Sequence, residues 1–255
     1  MDRRSALSLL GIGLLSACGG GGGAATEGPA GTVVTPDGSA PSAPPAPGSP
    51  AAPPPTDGGN SPDPSPPLQA LSPHIACWGD SITDLYAPTL QQLYPARQVY
   101  NGGVVGQVSQ QIAARQLADA QKKAWINVFW YGHNNWSKDQ VKADIARSVA
   151  GLAEGNQAFI VLSMLNWAGS GERGTQEYAD TVRVNAELAA LYPNHFIDMR
   201  AHLVSLHDRS SWQDVQDFQN DLPPSSLRFD RIHLNDAGCL AVARKLQEFI
   251  AARGW

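Results

Sequence analysis

The stretch His74-Ile75-Ala76-Cys77-Trp78-Gly79-Asp80-Ser81-Ile82-Thr83 decides the fold. Its four consecutive apolar residues, without alternation, read as a strand buried on both faces, as strands of a parallel sheet are. Gly79-Asp80-Ser81 then breaks the strand, and helical periodicity takes over from about residue 84 to 93. Outward from this unit, short apolar runs recur at Val99 with Tyr100, Ile126 to Tyr131, Phe159 to Ser163 and Phe196 to Asp198. Helical spacing fills the intervals at about 109–123, 138–154 and 175–191, and closes the chain at about 236–252. Strand-helix alternation of this kind predicts an α/β sandwich with a parallel central sheet, in one domain from residue 73 to 255. No internal repeat is visible.

Ligands of open parallel sheets bind where strands run into the following loops. Four such ends carry polar or glycine-rich residues: Gly79-Asp80-Ser81, Asn101 through Gly106, Gly132-His133-Asn134-Asn135, and Asn166-Trp167. Alone, Gly79-Asp80-Ser81 is a tight turn with a helix cap. Its weight changes with Phe229-Asp230-Arg231-Ile232-His233 far along the chain. An acid three residues before a histidine can turn back onto the imidazole Nδ1, leaving Nε2 to take a proton from a serine hydroxyl. Ser81, His233 and Asp230 are the candidate nucleophile, base and orienting acid. An acyl-transfer site also needs donors at the oxygen that becomes negative. The candidates are the Ser81 N–H, the N–H of Gly106, where a missing side chain lets backbone approach, and the Asn134 amide.

With these blocks in this order, the chain resembles the SGNH hydrolases, the GDSL-like esterases and acylhydrolases, from about residue 74 to its end. The resemblance implies a three-layer, flavodoxin-like sandwich whose five-stranded parallel sheet has the order 2-1-3-4-5. It carries the nucleophile over to Ser81, the oxyanion donors to Ser81, Gly106 and Asn134, the base to His233 and the acid to Asp230. Two positions depart from the family pattern. Ile82 stands where the GDSL name has leucine, and Asn135 stands where the third block usually ends in aspartate.

The first 72 residues have a different character. Met1-Asp2-Arg3-Arg4 precedes an apolar run from Ala6 to Leu15 that is too short to span a bilayer, as in a secretory signal peptide. Leu15-Ser16-Ala17-Cys18 with Gly19 resembles the bacterial lipobox, in which cleavage before the cysteine leaves a lipid-bearing thiol. The segments expected are a signal peptide at 1–17 and, at 18–72, lipidated Cys18 with a Gly/Pro/Ala/Ser-rich tether; residues 19–73 hold 15 of the 20 prolines. Such composition buries too little apolar surface to offset its ordering entropy. The protein is thus expected to be an exported lipoprotein held to the outer membrane by its lipid, facing the periplasm or cell surface. In that compartment Cys77 and Cys239 could be bridged or remain buried thiols.

Several classes are excluded or weakened. A formal net charge of −5 without basic runs disfavours nucleic acid as a partner. Asn101-Gly102-Gly103-Val104-Val105-Gly106 lacks the first glycine of the dinucleotide fingerprint, and neither a Gly-x-Ser-x-Gly elbow nor a phosphate loop occurs. His202, His207, Asp208, Asp214 and Asp217 fit no metal spacing and read as a solvated loop. No metal and no cofactor are expected. The expected activity is hydrolysis of acyl esters, for example acetyl esters of carbohydrates, with Trp136 and Trp167 as candidate faces for sugar rings and Trp78 and Trp130 as core. The alternatives are an acyltransferase with the same triad and a tethered binding module with a decayed site.

Overall fold

A computed structural model describes residues 71–255. The expected signal peptide, the lipidated Cys18 and the tether as far as Ala70 lie outside the described residues. The sheet comprises β1 (Ile75–Gly79), β2 (Val99–Gly103), β3 (Ile126–Trp130), β4 (Phe159–Leu162) and β5 (Phe196–Ile197). All neighbours are parallel, in the order β2-β1-β3-β4-β5, as the resemblance implied. The helices are α1 (Ser81–Leu93), α2 (Ser109–Ala118), α3 (Lys138–Ala150), α4 (Gln176–Leu191), α5 (Met199–Ser205), α6 (Trp212–Gln219) and α7 (Asp236–Ala252).

Strand side chains alternate between two cores because successive residues point to opposite faces. Ile75, Cys77, Val128, Trp130, Ile160 and Leu162 meet α1, α5 and α7 on one side. Ala76, Trp78, Phe129, Phe159 and Val161 meet α2, α3 and α4 on the other. Trp78 and Trp130 are core, as expected. Cys77 and Cys239 are free and buried, which settles them as thiols among the described residues. Burial pushes Cys77 up to about 12 and Cys239 up to about 11, so both stay protonated and unreactive.

Three boundaries differ from the sequence reading. Helix α1 starts at Ser81 instead of 84, because the Asp80 carboxylate accepts the Ile82 N–H as an N-cap. Helix α2 stops at Ala118, and a 3-10 turn at Ala120–Ala124, capped by Asp119, replaces its expected last turn. Helix α3 ends at Ala150, because Gly151 caps it. The segment read as a solvated loop around His202 to Asp217 instead forms α5 and α6, with Asp214 and Asp217 only 1% and 3% exposed.

Registry aligns the ends of the central strands: Gly79 lies opposite Gly103 on β2 and Trp130 on β3. The loops that follow them therefore share one rim of the sheet. Leu246 of α7 is fully buried in the core shared with α1 and β1. Leu246→Ala is expected to lower the unfolding free energy by about 2–5 kcal/mol, read by urea denaturation.

Candidate active site

Ser81 is the first residue of α1, so its N–H has no intrahelical acceptor and points out of the positive end of the helix dipole. Its Oγ lies 2.9 Å from His233 Nε2. His233 Nδ1 lies 2.7 Å from Asp230 Oδ2. The other carboxylate oxygen, Asp230 Oδ1, accepts the N–H groups of Ile232 at 2.8 Å and His233 at 2.7 Å. Desolvation raises the Asp230 pKa, but the Ile232 N–H and the His233 ring and N–H outweigh it and hold the carboxyl at about 2. The acid is therefore ionised across the working range, accepts from Nδ1–H, and leaves Nε2 as the basic nitrogen.

The acid and base sit in a closed turn. Phe229 N–H donates to His233 O at 3.0 Å, Arg228 and Leu234 form an antiparallel bridge, and the Phe229 ring lies nearly parallel to the imidazole at 5.7 Å. The turn is anchored from upstream by the two buried acids of α6. Asp217 Oδ2 accepts from Ser225 N–H at 2.7 Å and from Arg228 Nη2 at 3.0 Å, and Asp214 Oδ1 accepts from Ser226 N–H at 3.0 Å. Arg228 Nη1 then donates to Asp230 O at 2.8 Å. The acids expected in a solvated loop thus hold the turn that carries Asp230 and His233, and no group of three or more metal-ligating side chains is found among the described residues.

Ser81, Ile82, His133, Asn134, Trp167, Arg231, Ile232 and His233 line a cavity of about 290 Å³. Asn134 Nδ2 donates to Gln107 O at 3.1 Å, which ties the loop after β3 to the turn after β2 and leaves its second amide proton available. Gly106 lies in that turn but not on the cavity wall, and its φ of +77° places it in left-handed backbone. A Cβ there would meet no protein atom within 4 Å, so within the protein the glycine answers to its backbone conformation. The same turn is pinned to β1, because Val104 N–H donates to Gly79 O at 3.2 Å, and Arg115 Nη2 bridges Gly79 O at 3.3 Å and Gly102 O at 2.9 Å. Trp167 lines the Ser81 cavity, whereas Trp136, fully exposed, lines an adjoining one that shares His133, Asn134 and Trp167.

The departure at Asn135 has a structural answer. Its Oδ1 accepts the Ser109 N–H at 2.9 Å at the start of α2, and its Nδ2 donates to Ser109 Oγ at 2.7 Å. The serine hydroxyl passes its own proton to buried Asp144 at 2.6 Å. An amide fits here because a neighbouring carboxylate takes the hydroxyl proton that an aspartate would have accepted.

Sequence reasoning missed the role of His133. Its Nε2 accepts the Leu165 N–H at 3.2 Å, which fixes the proton on Nδ1, and that proton is donated to Asp80 Oδ2 at 3.0 Å. Beside the exposed pair of His233 and Asp230 there is thus a buried pair, His133 and Asp80, whose acid is one residue from Ser81. The only sequence signal was a histidine in a strand-end loop.

No protein-family model and no curated protein sequence matches the chain. Its fold is similar to that of solved structures. The acetyl xylan esterase AlAXEase is 17% identical with a TM-score of 0.56, over 69% of this chain and 98% of that one. The lipase/acylhydrolase from Enterococcus faecalis is 17% identical with a TM-score of 0.55, over 71% and 97%. A GDSL-like lipase from Bacteroides thetaiotaomicron is 15% identical with a TM-score of 0.53, over 71% and 88%. At these identities the likeness is one of fold: the α/β sandwich with its 2-1-3-4-5 parallel sheet.

What the arrangement can do chemically is activate a serine hydroxyl. Asp230→Asn is expected to slow labelling of Ser81 by a fluorophosphonate by about 10²- to 10⁴-fold with the fold intact, because the amide no longer fixes the reactive tautomer. Mass spectrometry of the labelled peptide and a circular dichroism melt check it.

Proposed function

We propose that the protein is a serine ester hydrolase of the SGNH, GDSL-like family, acting through Ser81, His233 and Asp230. The observation that carries this reading is the pair of contacts Ser81 Oγ to His233 Nε2 at 2.9 Å and His233 Nδ1 to Asp230 Oδ2 at 2.7 Å, opening on one cavity. The likeness of fold to an acetyl xylan esterase and to GDSL-like lipases supports it.

In the proposed reaction His233 Nε2 takes the Ser81 proton as Oγ attacks the acyl carbon. The negative oxygen of the tetrahedral intermediate meets the Ser81 N–H at the head of α1, the N–H of Gly106 and the second Asn134 amide proton. The imidazolium, stabilised by ionised Asp230, then protonates the departing alcohol and leaves the acyl group on Ser81. Water, deprotonated by the same nitrogen, releases the acid. The side chains of His233 and Asp230 are 31% and 43% exposed, which favours water as the acceptor over a shielded second alcohol. Product analysis with a sugar acceptor separates the hydrolase from an acyltransferase.

The proposed substrate is a short acyl ester, such as acetyl, on a carbohydrate. Trp167 on the cavity wall and Trp136 on the adjoining wall offer flat apolar faces to sugar rings. The proposed location is outside the cytoplasm, on a lipid carried by Cys18. No helix among the described residues is long and apolar enough to cross a membrane.

The full chain is expected to hydrolyse p-nitrophenyl acetate, and Ser81→Ala to abolish turnover without lowering the melting temperature; a variant with wild-type rates would overturn the nucleophile assignment. Asn134→Ala is expected to cut kcat by about 10²- to 10³-fold while KM changes little, because its bond forms in the transition state. A lower melting temperature with unchanged kcat would instead assign Asn134 to holding Gln107 alone. Cys18→Ala is expected to move the protein from the membrane fraction to the soluble fraction with kcat unchanged. Retention of the variant in the membrane in a processed, unlipidated form would refute the anchor.

A further inference from the structure

Arg231 is a charged side chain on the wall of the Ser81 cavity, and the catalytic mechanism does not use it. The chain is acidic overall, yet no carboxylate lies within salt-bridge distance of this guanidinium among the described residues. The two nearest acids in sequence and loop are engaged elsewhere: Asp230 on His233, and Glu172 Oε1 on the Gly169 N–H at 2.6 Å.

The guanidinium is held in place. Its Nε donates to Ala168 O at 2.5 Å and its Nη2 to Ser170 Oγ at 3.2 Å, while Ala168 N–H donates back to Arg231 O at 3.0 Å. Gly169 makes room for it, since a Cβ there would lie 2.7 Å from Nη2 and the glycine's φ is +89°. The same Ser170 Oγ also accepts the Trp167 indole N–H. One hydroxyl thus locks an aromatic plane and a guanidinium side by side on a single wall, and Nη1 makes no hydrogen bond among the described residues.

The geometry points to a specificity site for a sugar that carries a carboxylate, with Trp167 under the ring and the unused Nη1 edge of Arg231 on the acid. This rests on the ester-hydrolase reading and names its substrate class: acyl esters of uronic-acid-containing saccharides. An aromatic face packs against the C–H side of a pyranose, and a planar guanidinium pairs with a carboxylate in a way that a point charge does not.

The test compares the full chain with Arg231→Gln and Arg231→Lys on O-acetylated oligouronides and on the same oligosaccharides after carboxyl reduction. The wild type is expected to favour the acidic substrate in kcat/KM by about tenfold or more, the scale of one hydrogen bond to a charged group. Arg231→Gln should bring that ratio close to one, mainly through KM, and Arg231→Lys should retain part of it. Equal turnover of acidic and neutral saccharides by the wild type overturns the proposal, as does an equal loss on both in Arg231→Gln, which would make Arg231 an anchor of the catalytic turn only. Hydrolysis of p-nitrophenyl acetate with no action on either saccharide also overturns it, while leaving the ester-hydrolase reading in place. No turnover of any ester, with Ser81 unlabelled by a fluorophosphonate, overturns both.

Discussion

The buried carboxylate of Asp80 is the constraint on which the rest of the site depends. It is fully removed from solvent, and an isolated ionised carboxylate there would cost several kcal/mol, on the order of its desolvation penalty. Three features offset that cost: the Ile82 N–H at 3.1 Å, the dipole of α1, and the His133 Nδ1–H at 3.0 Å. His133 in turn takes the Leu165 N–H beyond β4. One charge therefore keys the ends of β1, β3 and β4 to one another, and the serine sits at its centre. The rim of a parallel sheet is otherwise a set of independent loops.

The second half of the site is built on a different principle. His233 and Asp230 lie on no strand end; they are carried by a turn hung between α6 and α7. Its rigidity comes from Asp214, Asp217 and Arg228, whose bonds to the backbone at Ser225, Ser226 and Asp230 act as an external frame. Asn235 then caps α7 through the Gly238 N–H at 3.1 Å, so the helix begins three residues after His233. Helix-borne Ser81 and loop-borne His233 meet because helix α7 packs against α1 in the core.

Much of this was legible in the sequence because it follows from apolar patterning. The continuous runs at Ile75, Ile126 and Phe159 marked buried parallel strands, and Ser81, His233 and Asp230, singled out far apart in the chain, lie in one run of hydrogen-bond contacts. Helix α6 was illegible for a physical reason. Its inward face carries Asp214 and Asp217, while Trp212 and Phe218 are exposed, so hydrophobic periodicity is inverted there. His133 was illegible because its partners come from two other strands. Asn135 looked like a departure until Asp144, on α3, was seen to take the proton that makes an amide workable.

The serine and its base are 152 residues apart along the chain. Closing a loop of that length is entropically among the most demanding contacts in the domain. The contact is therefore a readout of completed folding: its two side chains meet only when the turn before α7 sits beside the head of α1. The same separation makes the contact a sensitive reporter of damage, since local unfolding of α6 would remove the bonds that frame the turn of His233 while leaving those within the sheet in place.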